Sequence, residues 1–263
     1  MSSLRDWALA LPAQGRYTFT TAEARAASAA SEAAVAAALG RAEADHLIAS
    51  PVRGFHVVLP LEDRGTGTPS WRLFLDPLLT HLGLPYYVGI LTAASIHGAS
   101  GQAAQVVQVV TARPRRPVRS GRLVIEFVVR GTAAAAPVEL RTTPSGRMRV
   151  ATPEVVALDL VRYPAKAAGW GNVVTVLRDL VPLLRRSGMR AALAVEPATS
   201  ELQRLGHLLE RAGAEAVLPA LEAELATRRV DWVPLIPGEP AVDDAGARDH
   251  RWHILVNAAP EED

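Results

Sequence analysis

The chain has 263 residues, an apolar share of 49% and a net charge of +1, which is enough length and apolar content for two domains with cores of their own. It has no cysteine, so disulfides and thiolate metal sites are excluded, and a reducing compartment fits. No run approaches about 18 uncharged apolar residues, and Arg5 and Asp6 break the apolar start, so neither a membrane span nor a signal peptide is expected and the cytoplasm is the default location.

Residues 3–11 predict a short helix with Leu4, Trp7, Ala8 and Leu11 on one face, ended by Pro12. Tyr17-Thr18-Phe19 predicts a short strand. Thr20 and Glu23 form a capping box, in which each side chain satisfies the other residue's free backbone N–H, so a helix starts there and runs to about Ala27. Ser31 caps a second helix with Val35, Ala38, Leu39 and Ala42 on its apolar face. Strands follow at 47–50 and 55–59, with Pro51, Arg53 and Gly54 turning between them. Helix, turn, helix and hairpin is the order of a winged helix-turn-helix, a fold that sets its second helix in the DNA major groove. The second helix is nearly all alanine, however, where Arg, Lys, Asn and Gln are the usual base readers. The alternative is a winged helix kept for packing or protein contact.

The Gly/Thr-rich stretch 64–69 reads as a linker. The expected architecture is therefore α+β: a winged helix-turn-helix domain over 1–64, then a larger mixed domain over 70–263. The second part predicts helices at 73–82 and 86–97. Strands follow at 105–111, 123–130, 138–142 and 148–150. Thr152-Pro153-Glu154 opens another helix, with a capping hydroxyl, Pro at the first position and an acid in the first turn. Gly169-Trp170-Gly171 breaks it, helices follow at 172–186, 202–212 and 216–227, and strands at 231–235 and 251–256 close the chain around a polar connection, 237–250.

Charge is unevenly placed. Residues 104–149 hold nine arginines against Glu126 and Glu139, whereas residues 196–263 hold six arginines against 14 acids. The middle of the chain is thus the electrostatic footprint for a polyanion. Its densest part is the connection 112–122, where Arg115 and Arg116 suit phosphate contact, with a solvated charged loop as the alternative. In the N-terminal part Arg16, Arg25, Arg41 and Arg53 stand around the edges of the winged helix; Ser31 and His56 complete the candidate DNA-contact set.

Catalytic signatures are absent. The seven histidines show no ligand spacing, and no phosphate loop or nucleophile elbow appears, so no metal and no cofactor are expected. His97 before Gly98 reads as a helix C-terminal residue and Glu154 as first-turn electrostatics. Glu126 is either a nuclease-like carboxylate or the partner of an arginine on a neighbouring strand.

Several segments in order carry a family resemblance. The predicted winged helix is followed by Tyr86–Gly98, by 105–111, by Val150-Ala151-Thr152-Pro153-Glu154 with Asp159, by Gln203–Glu210 and by Trp252–Asn257. In this order the chain resembles the AbiEi family of antitoxins from type IV toxin–antitoxin systems. The resemblance implies a DNA-binding protein that represses its own operon through its N-terminal domain. It also implies a C-terminal domain that counteracts a nucleotidyltransferase-like toxin without forming a stable complex with it. The implied partners are double-stranded operator DNA and that toxin, with no enzymatic activity. Two other classes remain open from the residues: a nuclease-like enzyme that uses the winged helix for substrate delivery, and an interaction module that does not bind DNA.

Overall fold

A computed structural model of the chain describes residues 3–99, 106–239 and 248–257. Helix α1 (Leu4–Ala10) starts on Ser3, whose hydroxyl accepts from Asp6 N at 3.2 Å while the Asp6 carboxylate accepts from Ser3 N. Pro12 does not stop the helix abruptly. It fits the first turn of a 3₁₀ segment, Leu11–Gln14, where a missing N–H costs nothing, and Gly15 at φ 72° ends the segment.

Strand β1 (Thr18–Thr20) leads into α2 (Thr21–Ala26) through the expected capping box. Thr20 Oγ1 accepts from Glu23 N at 3.1 Å, and Glu23 accepts from Thr20 N at 2.7 Å. Ser31 Oγ accepts from Ala34 N at 3.3 Å and caps α3 (Glu32–Ala44). The hairpin follows as β2 (Ile48–Val52) and β3 (Phe55–Val58). Pro51, expected in the turn, lies within β2, next to a register shift between Ala49 and Val52; a residue without an N–H is tolerated where the ladder is interrupted. The turn itself rests on Gly54, at φ 80°. These strands form an antiparallel sheet in the order β1-β3-β2. Against it Ala8, Leu11, Phe19, Ala24, Val35, Leu39, Ile48 and Val58 make one core, closed by Leu4, Trp7, Leu9 and Ala42.

The next elements are α4 (Leu75–His81), β4 (Tyr86–Val88) and α5 (Ile90–Ile96). The helix expected from Tyr86 begins only at Ile90, because Tyr86-Tyr87-Val88 are strand formers and pair as a strand. Then come β5 (Val106–Thr111), β6 (Val118–Ser120), β7 (Leu123–Val129), β8 (Val138–Thr143) and β9 (Gly146–Ala151). Gln105, the expected first residue of β5, lies outside the described residues. The basic connection therefore contains a strand of its own, β6.

Helices α6 (Pro153–Arg162), α7 (Trp170–Leu180), α8 (Arg186–Ala192), α9 (Thr199–Arg211) and α10 (Leu218–Leu225) follow, and the short strands β10 (Val233–Pro234), β11 (Arg248–Asp249) and β12 (Ile254–Leu255) close the chain. The expected helix 172–186 is two pieces, since Pro182 sits in a 3₁₀ turn at Val181–Leu183 between α7 and α8. Of the polar connection 237–250, residues 240–247 lie outside the described residues.

By their contacts the residues form two compact units that interleave in sequence: 1–86 with 105–130 and 140–149, and 87–104 with 131–139 and 150–263. The first joins the N-terminal helices and hairpin to the basic segment. Within it β5 runs parallel to β7, from Val106↔Val124 to Thr111↔Val129, and β6 runs antiparallel to β7, with Val118↔Ile125. Thr68, in the expected linker, accepts from Arg122 N at 3.1 Å, and Asp63 accepts from Ser70 N at 3.2 Å, so this stretch is tied down on both sides.

The second unit centres on α6, buried from Pro153 through Val161 and packed by α5, α7, α8 and α9. There β4 pairs parallel to β9 at Val88↔Val150, and the closing strands form a small sheet in the order β10-β12-β11. Among the described residues no helix is long and apolar enough to cross a membrane.

Candidate nucleic-acid interface

All eight candidate DNA-contact residues fall in the first unit, and the fold treats them differently. Arg16 follows the left-handed Gly15 and pairs with Glu23 Oε1 at 2.5 Å. Burial acts to raise the Glu23 carboxyl, but hydrogen bonds from the Thr20 backbone and hydroxyl and the Arg16 guanidinium outweigh it and hold the group below the usual carboxylate range. Arg25, in the last turn of α2, pairs with Glu32 at the start of α3 and so bridges the two helices. Both pairs are exposed. Such pairs contribute about 0–1 kcal/mol, so either guanidinium can exchange its carboxylate for another anion at little cost.

Ser31 serves as the α3 cap. Its hydroxyl has its geometry fixed by the helix start, which favours a structural role there. Arg41, in the last turn of α3, and Arg53, in the turn between β2 and β3, are exposed and have no hydrogen-bond or ion-pair partner for their guanidinium groups among the described residues.

His56 is buried, 6% exposed, and both ring nitrogens are occupied. Ser50 Oγ donates to Glu43 Oε2 at 3.1 Å, so it must accept from His56 Nδ1 at 2.9 Å; His56 Nε2 is then the acceptor of the Thr21 hydroxyl at 2.9 Å. The relay Thr21–His56–Ser50–Glu43 fastens the start of α2 to both wing strands and the end of α3. Burial lowers the His56 pKa, against a smaller opposing effect of Glu43. His56 stacks on Phe19 at 5.1 Å and offers DNA no free polar atom.

Arg115 and Arg116 lie beside the β2–β3 hairpin. Pro51 and Val52 of β2 form one wall of a cleft of about 470 Å³ and residues 114–119 form the other. A second cleft of about 260 Å³ continues along β2, lined by Glu43, His46 and Ser50 on one side and by Arg119, Ser120 and Gly121 on the other. Arg119 borders both clefts. It was missed by sequence reasoning, although Val118-Arg119-Ser120 alternates buried, exposed, buried, which is the strand signal that turns one arginine outward.

The exposed face of α3 presents Ala33, Ala34, Ala36 and Ala37, which carry no base-reading donors. Glu126 sits on β7, in register with Gln108 of β5. His97 caps the C-terminus of α5 and its Nε2–H donates to Ala151 O at 2.8 Å. Glu154 is not a solvated first-turn acid. It is buried and accepts from Arg185 N at 2.8 Å, capping α8 instead of its own helix. No group of three or more His, Asp or Glu side chains stands at metal-binding distance among the described residues.

Comparison with known proteins gives one family and one fold. Residues 87–211 match the model of the AbiEi antitoxin C-terminal domain. No curated protein matches the chain. Among solved structures, that of the RV2827C protein from Mycobacterium tuberculosis is similar in fold. Its TM-score is 0.64 at 16% identity, over 94% of this chain and 89% of that one.

Proposed function

We propose that this chain, whose residues 87–211 match the AbiEi antitoxin C-terminal domain, is the antitoxin of a toxin–antitoxin pair that binds double-stranded DNA upstream of its own gene, represses its operon and counteracts a nucleotidyltransferase-like toxin without a stable complex. In this reading the protein works without catalysis. The observation that carries it is a set of arginines without carboxylate partners among the described residues: Arg115 and Arg116 in the cleft beside β2, exposed Arg53 in the β2–β3 turn and exposed Arg41 in the last turn of α3. The order α1, α2, α3 and hairpin supports a winged helix whose hairpin turn reaches the DNA backbone. Because α3 presents methyl groups, phosphate contact supplies most of the affinity in this reading, and apolar contact with thymine methyls is what α3 can add.

The test is a gel-shift with the upstream duplex across about 50–200 mM salt. The expected slope of log K against log salt is about −0.9 per phosphate neutralised. A flat salt response at measurable affinity argues against binding through the backbone. The alanine face of α3 favours a second reading, an interaction module that does not bind DNA, and failure to retard any duplex at low salt would support it. Growth of cells expressing the neighbouring toxin, with and without this chain, tests the antitoxin half separately.

A further inference from the structure

The wing is not a free hairpin. Its first strand stands against β6, and two clefts that share Arg119 lie along the pair; together they are called the trough. Three guanidinium groups border this trough, those of Arg115, Arg116 and Arg119, and none has a hydrogen-bond or ion-pair partner among the described residues. Within this unit Arg16 and Arg25 pair with carboxylates, whereas the bareness that Arg41 and Arg53 show extends to all three trough arginines. There it follows from composition: residues 104–149 contain only two acids. Charges lining a concave surface focus their field outward and raise the local concentration of an anion.

The trough walls are stiff. Pro51, Pro114 and Pro117 limit the backbone on both sides. Gly121 takes φ 57°, and Thr68 Oγ1 holds Arg122 N beside it, which anchors the turn from β6 into β7. Glu43 lines the second cleft with Arg119 and accepts from the Ser50 hydroxyl. A polyanion is thus favoured most in the first cleft, whose lining residues include no acid.

Resting on the DNA-binding reading above, we propose that the trough between β2 and β6 seats one phosphodiester strand of the same duplex the wing contacts, with Arg119 as the central phosphate ligand. The basic segment 113–122 then belongs to the DNA-binding surface, and Arg53 and Arg119 act within a single footprint.

The test uses the full chain and its upstream duplex. Arg119→Gln should reduce affinity, and should shrink the salt slope by about 0.9, the value for one lost phosphate contact. Arg119→Lys should restore most of the slope, since an ammonium still neutralises a phosphate. The Arg119 side chain is exposed and has no hydrogen-bond or ion-pair partner among the described residues, so the thermal unfolding midpoint should stay where it is. Because the chain has no cysteine, Arg53→Cys and Arg119→Cys can each carry a photo-cross-linker, and both should mark the same strand within one binding site. If the wild type binds, Arg53→Gln weakens it, and Arg119→Gln leaves affinity and slope unchanged, the trough assignment is overturned while the DNA-binding reading stands. If the wild type retards no duplex, both fall together.

Discussion

At the scale of single residues, the site depends on which side chains the fold consumes and which it leaves available. Arg53 is available: it sits in the β2–β3 turn, exposed and with an unpartnered guanidinium among the described residues. Arg53→Ala should weaken binding to the upstream duplex by about 1 kcal/mol, the scale of one charge-assisted hydrogen bond made partly in water, and should leave protection from the toxin intact. Titration of operator binding beside a growth assay checks both halves; loss of protection along with repression would mean that the two activities share this residue. His56 is consumed. Burial keeps it neutral in the fold, with its pKa below the ordinary 6.5. The unfolded chain therefore binds a proton first as pH falls. The neutral relay contributes its full stability above pH 6.5 and loses it as pH drops below that value toward the folded pKa. Ring resonances of His56 should titrate below 6.5, and urea midpoints should fall between pH 7 and 5. A His56 that titrates above 6.5 would contradict the relay.

At the scale of elements, helices start where a cap exists and meet where a small residue lets them. Thr20→Ala removes an acceptor for Glu23 N and one arm of the α2 capping box, so a loss of about 0.5–2 kcal/mol is expected. Helix α9 meets the chain end through Gly206. A Cβ there would stand 2.1 Å from Cε3 of Trp252, a fully buried side chain whose Nε1–H donates to Glu210 Oε2 at 2.6 Å. Gly206→Ala must push the indole off the helix and should destabilise by about 1–3 kcal/mol through overpacking, read from the urea midpoint. An unchanged midpoint would show that Trp252 repacks freely. Gly188 plays a similar part for the buried Glu154, whose carboxylate stands 2.4 Å from where its Cβ would be. That contact lets the carboxylate reach Arg185 N and start α8.

At the scale of the whole molecule, the first compact unit gathers three separate sequence segments. The core beneath the β1-β3-β2 sheet lies within residues 4–58, so a 1–64 fragment retains it. The fragment lacks β6, however, together with Arg115, Arg116 and Arg119. It should therefore fold with a lower unfolding midpoint than the full chain, as a domain of about 60 residues buries only about 60% of its unfolded surface. It should bind the upstream duplex with a smaller salt slope than the full chain. An equal slope would place every phosphate contact within residues 1–64.

What the sequence determined by itself was local. The capping box at Thr20, the Ser31 cap, the Gly54 turn and the strands expected over 105–111 and 123–130 each rest on residues within a few positions of one another. Propensity and hydrogen-bond partners could therefore be read directly. The arginine excess over 104–149 was equally plain, because charge is counted without knowing where it folds. Tertiary structure decided what those charges face. That β2 stands against β6, that Arg119 borders both clefts, that Thr68 holds the β6–β7 turn and that Glu154 caps α8 all depend on residues separated by 31 or more positions in the chain. Such pairings leave no periodic trace in either partner. The occupation of His56 was hidden for the same reason: its Thr21 partner lies 35 residues away. An isolated histidine in a strand looks the same whether its ring meets solvent or closes a buried relay, and only the packing of α2 onto the wing settles which.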